Sequence, residues 1–255
     1  MRPAKLQDFE PAGSPPSLIL TTSWDDGHPL DLRVAELLAA HGVRGTFYVP
    51  VRASADSLMK PADLRRLRNL GMEIGAHTVS HPDLTTAADP FPQLVDGKRH
   101  LEEVLGEEIT SIAYPYGRFD SHVSRLAREA GYRVGRTTTA FVAGRTFDAF
   151  EMPTSFQFVP HSRAVHIRHA LREWNLKGLA TWCWRWRCVT DLRDLTRLAI
   201  ADARRTHGLV HIWGHSWEID SHDLWGLLKE VLRDIVQQPG VTSMTNTEAV
   251  NALGL

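Results

Sequence analysis

Short apolar runs of strand length alternate along the chain with stretches whose apolar positions recur at helical spacing. SLILTTS reads as a strand. In DLRVAELLAAHG the residues Leu32, Ala35, Leu38 and Ala39 share one face, which predicts a helix. GTFYV, MEIGA, ITSIAYP and YRVGRTT predict further strands, and PADLRRLRNLG, FPQLVDGKRHLEEVLG ending at Gly106, and HVSRLAREAG predict the helices between them. Beyond these come a strand near FEMPTS, helices over SRAVHIRHALREW and DLRDLTRLAIADARRTHG, a strand GLVHIWG, a helix SHDLWGLLKEVLRDIV and a last helix near TNTEAVNALGL. Sustained βα alternation without long polar linkers predicts one parallel α/β domain, a barrel or an open doubly wound sheet. Residues 1–16, with Pro3, Pro11, Gly13, Pro15 and Pro16, read as a lead-in, and 17–255 as the domain.

The chain has 255 residues, enough for one large core. Lys and Arg number 29 against 30 acids, a net charge of -1, and no run of five like charges occurs, so binding of nucleic acid or a membrane surface through bulk basicity is disfavoured. No apolar stretch is long enough to span a bilayer. The N-terminus lacks the apolar core of a secretory signal, and a cytoplasmic protein is expected. Cys183 and Cys188 are expected to be free thiols on opposite faces of a strand-like segment, in which Trp182, Trp184 and Trp186 would share one face.

The 13 histidines direct attention to chemistry. Asp25 and Asp26 in SWDDGH follow the first strand. Adjacent carboxylates there are common turn chemistry, and are also more readily tolerated beside a cation. His77 and His81 in GAHTVSHPDL stand at i and i+4, where one helical turn would bring both imidazoles together, and a carboxylate with two histidines is a recurrent ligand set for a divalent metal. Tyr114 and Tyr116 in AYPYG, and His215 in WGHSWE, fall at the ends of later strands. Four such sites on the same rim of a parallel α/β domain fit a single functional centre.

These motifs resemble the polysaccharide deacetylases of the NodB homology type, carbohydrate esterase family 4, from about Leu18 to His215. The resemblance implies a distorted (β/α) barrel with about seven parallel strands and a hydrolase that removes acetyl groups from an N-acetylated sugar or saccharide. It further implies Asp25 as general base, Asp26, His77 and His81 as ligands of one divalent ion (zinc, with cobalt, nickel or iron also acceptable), the Tyr116 N–H facing the oxyanion, and His215 as general acid. The ion activates water and polarises the acetyl carbonyl. Trp24, Tyr114, Trp213 and Trp217 are expected to line the sugar pocket.

Where many members of that family carry an arginine that orients the base, this chain has Ala113, with Arg118 and Arg136 as candidate substitutes and Glu151 as a candidate support. His211 is the alternative acid, but a strand through Leu209, His211 and Trp213 encloses it while His215 lies past the end. Glu218 is expected to raise the pKa of His215 or to cap the next helix. The competing functions are hydrolysis of another non-peptide amide, such as a formamide or cyclic amide, and a catalytically impaired sugar-binding domain.

Overall fold

A computed structural model describes residues 18–52 and 58–255; the expected lead-in, residues 1–16, lies outside the described residues. Among the described residues, eight strands form one parallel sheet: β1 (Leu18–Asp25), β2 (Thr46–Val49), β3 (Glu73–Ala76), β4 (Ser111–Ala113), β5 (Val134–Arg136), β6 (Phe156–Gln157), β7 (Leu209–Gly214) and β8 (Val241–Ser243), in the order β5-β4-β3-β2-β1-β7-β6. β8 is the strand that apolar periodicity did not predict. It pairs with the first half of β1, Leu18 to Leu20, while β2 pairs with the second, Ser23 to Asp25. Flanked along its length, β1 is buried at all eight residues, which is why it reads as a near-continuous apolar run.

The sheet curls because residues 152–157 tie its two edges together. Met152 bridges Arg136 of β5, with Met152 N–H donating to Gly135 O (2.8 Å), and four residues later Phe156 pairs with Ile212 of β7. The expected distorted barrel is therefore present. The FEMPTS run itself, however, overlaps a 3-10 turn at Ala149–Glu151 and contributes only the bridge at Met152; the strand Phe156–Gln157 lies just past it.

Strand period sorts the side chains of β1. Ile19, Thr21, Ser23 and Asp25 point into the barrel: Ile19 packs with Val134, Met152 and Leu209, while Ser23 meets His211. Leu18, Leu20 and Trp24 point outward into the main core beneath the helices. Those helices are α1 (Asp31–Ala40), α2 (Pro61–Asn69), α3 (Phe91–Leu105), α4 (Ser121–Glu129), α5 (Arg163–Arg172), α6 (Leu176–Ala180), α7 (Leu192–Thr206), α8 (Ser216–Ser221), α9 (Trp225–Val236) and α10 (Asn246–Leu253). The expected helix over SHDLWGLLKEVLRDIV begins only at Trp225, after a break at Asp223 (φ 49°), and α8 precedes it.

The segment from Thr181 to Arg185 is a π turn continuing α6, not a strand. Trp182 and Trp186, one helical turn apart, are buried, whereas Trp184 is 81% exposed, so the three indoles do not share a face. Cys183 and Cys188 are free thiols in this helical setting.

Candidate active site

The C-terminal ends of β1, β3, β4, β5, β6 and β7 meet at one rim, around a cavity of about 370 Å³ lined by Asp25, Asp26, His77, His81, Tyr116 and His215 among others. Asp25 is the last inward residue of β1; the chain then turns through Asp26 (φ 79°) and Gly27 (φ 62°), which lifts the Asp26 carboxylate to the cavity floor. His77 follows β3. It is buried, and its Nδ1–H donates to Ala113 O (2.8 Å), leaving Nε2 free to face Asp26 Oδ1 at 3.8 Å.

His81 Nε2 lies 3.6 Å from the same oxygen. The two histidines are not joined by a helical turn as their spacing suggested. The chain between them is a tight turn with positive φ at Thr78 (66°) and His81 (56°), held by Gln93 of α3, whose Oε1 accepts from Val79 N–H and Ser80 N–H at 3.1 and 3.0 Å. The imidazoles meet edge to face, centroids 4.6 Å apart.

Donor atoms of Asp26, His77 and His81 all lie within 4.8 Å of one another. One carboxylate and two imidazoles suit a divalent ion, and burial pushes His77 down to about 4, so it is neutral and available as a ligand. These residues fit a metal.

Asp25 is buried beside them. Its Oδ2 accepts from Nη2 of Arg136, while its Oδ1 has no partner among the described residues. Burial pushes the Asp25 carboxyl up, but the Arg136 guanidinium, with His77 and His215, outweighs this and holds it below the usual value. Arg136 thus stands where the sequence lacked an arginine. Ala113 on β4 is the register partner of Arg136 on β5, and both point into the barrel. A methyl group at 113 leaves room for the neighbouring strand's guanidinium, which also lies 5.0 Å from the Trp213 ring and 5.2 Å from that of Tyr48. The other candidates lie apart: Arg118 pairs with Asp83, and Glu151 is exposed beyond the cavity.

Across the cavity, His215 caps α8. Its Nδ1–H donates to Glu218 Oε2 (2.7 Å), and its Nε2 lies 3.7 Å from Asp26 Oδ2. Burial lowers the His215 pKa, yet Glu218, Asp25 and Asp26 together raise it above the ordinary value. Glu218 therefore meets the imidazole rather than capping the helix, and it is itself held by Gln157 Nε2 (2.8 Å), whose Oε1 accepts from His161 (3.0 Å). His211 is enclosed. Its Nδ1–H donates to Pro153 O (2.9 Å), its Nε2 accepts from Ser23 Oγ (2.8 Å), and burial pushes its pKa down to about 3.

Of the expected pocket aromatics, Trp213 and Trp217 line the cavity, with Trp217 stacked on His215 and donating from Nε1 to Asp26 Oδ2 (3.3 Å). Trp24 and Tyr114 do not. Each neighbours an inward residue, Asp25 or Ala113, so strand period turns it outward: Trp24 into the core, and Tyr114 against Phe119, with its hydroxyl donating to Phe150 O (3.1 Å). Tyr116 remains at the rim, half exposed, its ring 4.6 Å from that of His81. The opposite wall, unforeseen in the sequence, comes from Phe141 and from His161, His166 and His169 at and before α5. Their crowding over 161–169 was the one sequence signal.

Residues 12–135 match the polysaccharide deacetylase family. A chitooligosaccharide deacetylase of Sinorhizobium fredii is 32% identical over 46% of this chain and 54% of its own length, and a peptidoglycan N-acetylmuramic acid deacetylase of Bacillus subtilis is 26% identical over 63% and 60%. The aligned region thus spans little more than half of those relatives. In fold, the chain is similar to the chitin deacetylase of Colletotrichum lindemuthianum, with TM-score 0.59 and 17% identity over 93% of this chain and 88% of that one, and to a family 4 carbohydrate esterase of Bacillus anthracis, with TM-score 0.53 and 17% identity over 93% and 84%. The matched region carries Asp25, Asp26, His77, His81 and Tyr116 and is a polysaccharide deacetylase family match, and the fold it shares with solved deacetylases extends past it to β7 and His215.

Proposed function

We propose that the chain hydrolyses the acetamido group of an N-acetylated saccharide, releasing acetate and a free amine. The observation that carries this reading is Asp25, with one oxygen pinned by Arg136 and the other without a partner among the described residues, at a cavity whose floor holds Asp26, His77 and His81.

Asp26, His77 and His81 would hold a divalent ion, for which the donor set suits zinc and would also accept cobalt, nickel or iron. Bound there, the ion supplies a Lewis acid that polarises the acetyl carbonyl and acidifies water.

Asp25 Oδ1 takes the proton of the attacking water. Ionised at neutral pH and fixed through Oδ2, the carboxylate does not have to reorient to do so. The Tyr116 N–H, set at the rim by a backbone turn with φ 59°, faces the oxygen that gains charge. His215 then protonates the departing nitrogen as the C–N bond breaks; its raised pKa keeps a proton available, and Glu218 fixes Nδ1 as the bonded nitrogen so that Nε2 faces the substrate. Trp213 and Trp217 offer aromatic faces to the sugar ring.

Asp25→Asn tests the assignment. Metal content should stay near that of the parent, while acetate release from N-acetylated saccharides falls by about 100-fold or more. An Asp25→Asn protein with parental turnover would remove Asp25 from the base role.

A further inference from the structure

The balanced charge of the whole chain conceals a strong local imbalance. Residues 161–190 hold six of the 29 Lys and Arg residues and one of the 30 acids. All six cations, Arg163, Arg168, Arg172, Lys177, Arg185 and Arg187, are exposed. Two of the six are already paired: Arg172 lies 3.7 Å from Glu173, the segment's single acid, whose Oε1 accepts from Thr138, and Arg185 pairs with the buried Asp202 of α7.

The same segment also carries exposed apolar side chains. Of the ten large hydrophobic residues exposed among the described residues, five fall here: Ile167, Leu171, Trp174, Leu176 and Trp184. Ile167, Leu171 and Trp174 follow at i, i+4 and i+7, one stripe along α5 and just past its end. Trp174 is 87% and Trp184 81% exposed, although an indole normally buries most of its ring. Exposed tryptophan and leucine interleaved with cations is the composition of a surface that rests in a lipid headgroup layer: indoles favour that interface, and arginines face anionic lipid.

We propose that the outer face of α5, α6 and the π turn docks on an anionic lipid bilayer. The occupant follows from charge complementarity. A neutral saccharide would use the indoles but leave Arg168, Lys177 and Arg187 without a role, whereas a second copy would set the two arginine-rich faces against each other. No described helix is long and apolar enough to cross a membrane, so the contact is peripheral. Because His166, His169 and Arg172 of α5 also line the active-site cavity, docking brings the cavity wall to the bilayer surface.

Co-sedimentation of the full chain with vesicles tests this, in the absence of any saccharide, so the result is separate from acetyl hydrolysis. The chain should sediment with phosphatidylcholine vesicles containing phosphatidylglycerol, remain largely in solution with phosphatidylcholine alone, and be released by high salt. Arg168→Gln and Arg187→Gln should each weaken binding roughly fivefold. Trp174→Ala combined with Trp184→Ala should weaken it about tenfold or more, with acetate release from a soluble substrate unchanged. Failure to sediment with anionic vesicles would overturn the proposal. So would binding indifferent to these four substitutions, or a dimer in size-exclusion chromatography that Trp174→Ala disperses, which would assign the face to a second copy.

Discussion

Arg136 carries more of the site than any motif around it suggests. It is fully buried, its partner lies 111 residues earlier, and nothing local to either residue announces the pair. The connection becomes legible only through the sheet, where Ala113 and Arg136 share a register position. Removing one partner of a buried ion pair leaves the other charge uncompensated, so Arg136→Met should lower stability by about 3–5 kcal/mol in thermal or denaturant unfolding, and turnover should fall with it. A variant of parental stability and rate would mean that Asp25 needs no counter-charge. Glu218→Gln, by contrast, should leave substrate affinity near its parental value and reduce kcat by about 100-fold, because it weakens a proton donor without emptying the cavity; steady-state acetate release separates the two effects. The candidate residues that the structure brings to one cavity, Asp25, Asp26, His77, His81, Tyr116 and His215, all sit at or just past strand ends. Trp24 and Tyr114 were misplaced because proximity in sequence to an inward residue is, in a strand, a reason to face away.

At the scale of elements, α3 holds the histidine turn in place. Gly97 of α3 comes so close to Thr78 that an added Cβ would lie 3.1 Å from its carbonyl carbon and 3.2 Å from its oxygen. Gly97→Ala should therefore displace the turn between His77 and His81, and metal should be lost more readily on dialysis than from the parent while the melting temperature falls by only a few degrees. Gly117→Ala is more severe. Gly117 has φ 67°, and its Cβ would collide with the Thr138 side chain, so a large loss of thermal stability is expected. Periodicity identified β1 to β5, β7 and most helices because each has one buried and one wet face, or is buried throughout. It missed β8, three residues long and only partly buried, and α8, whose six residues span less than two turns. It mistook the Trp182–Trp186 segment for a strand because alternating indoles imitate a period of two, although i and i+4 in a π turn bury the outer pair equally well.

Across the whole molecule, the barrel is a polar-lined structure closed by one short segment, and this has a pH consequence. His211, between Ser23 and Pro153 inside the barrel, is held neutral by burial with its pKa down to about 3, and His166 in the cavity wall is lowered to about 4. Unfolding returns both to ordinary values near 6.5. Below pH 6.5 the unfolded chain takes up protons that the folded chain refuses, so stability should fall as pH drops from 6.5 towards 4, each histidine steepening the decline by up to about 1.4 kcal/mol per pH unit. Unfolding midpoints across that range should show the slope, and His211→Gln should reduce it even if the variant is less stable overall. The family, the parallel barrel and the rim on which the site lies were legible in strand ends and motif order. The counter-charge for Asp25, the Gln157–Glu218 support for His215 and the α5 wall were not, since each joins residues that only the closed sheet brings together.

The most direct test of the central claim is to measure metal content and acetate release together on the same purified protein, using N-acetylated saccharides, before and after EDTA treatment and metal add-back. The account predicts close to one divalent ion per chain, acetate release that disappears with the ion and returns with it, and loss of both when His77 or His81 is replaced by Ala. Acetate release that survives complete removal of metal, or stoichiometric metal retained without His77 and His81, would contradict it.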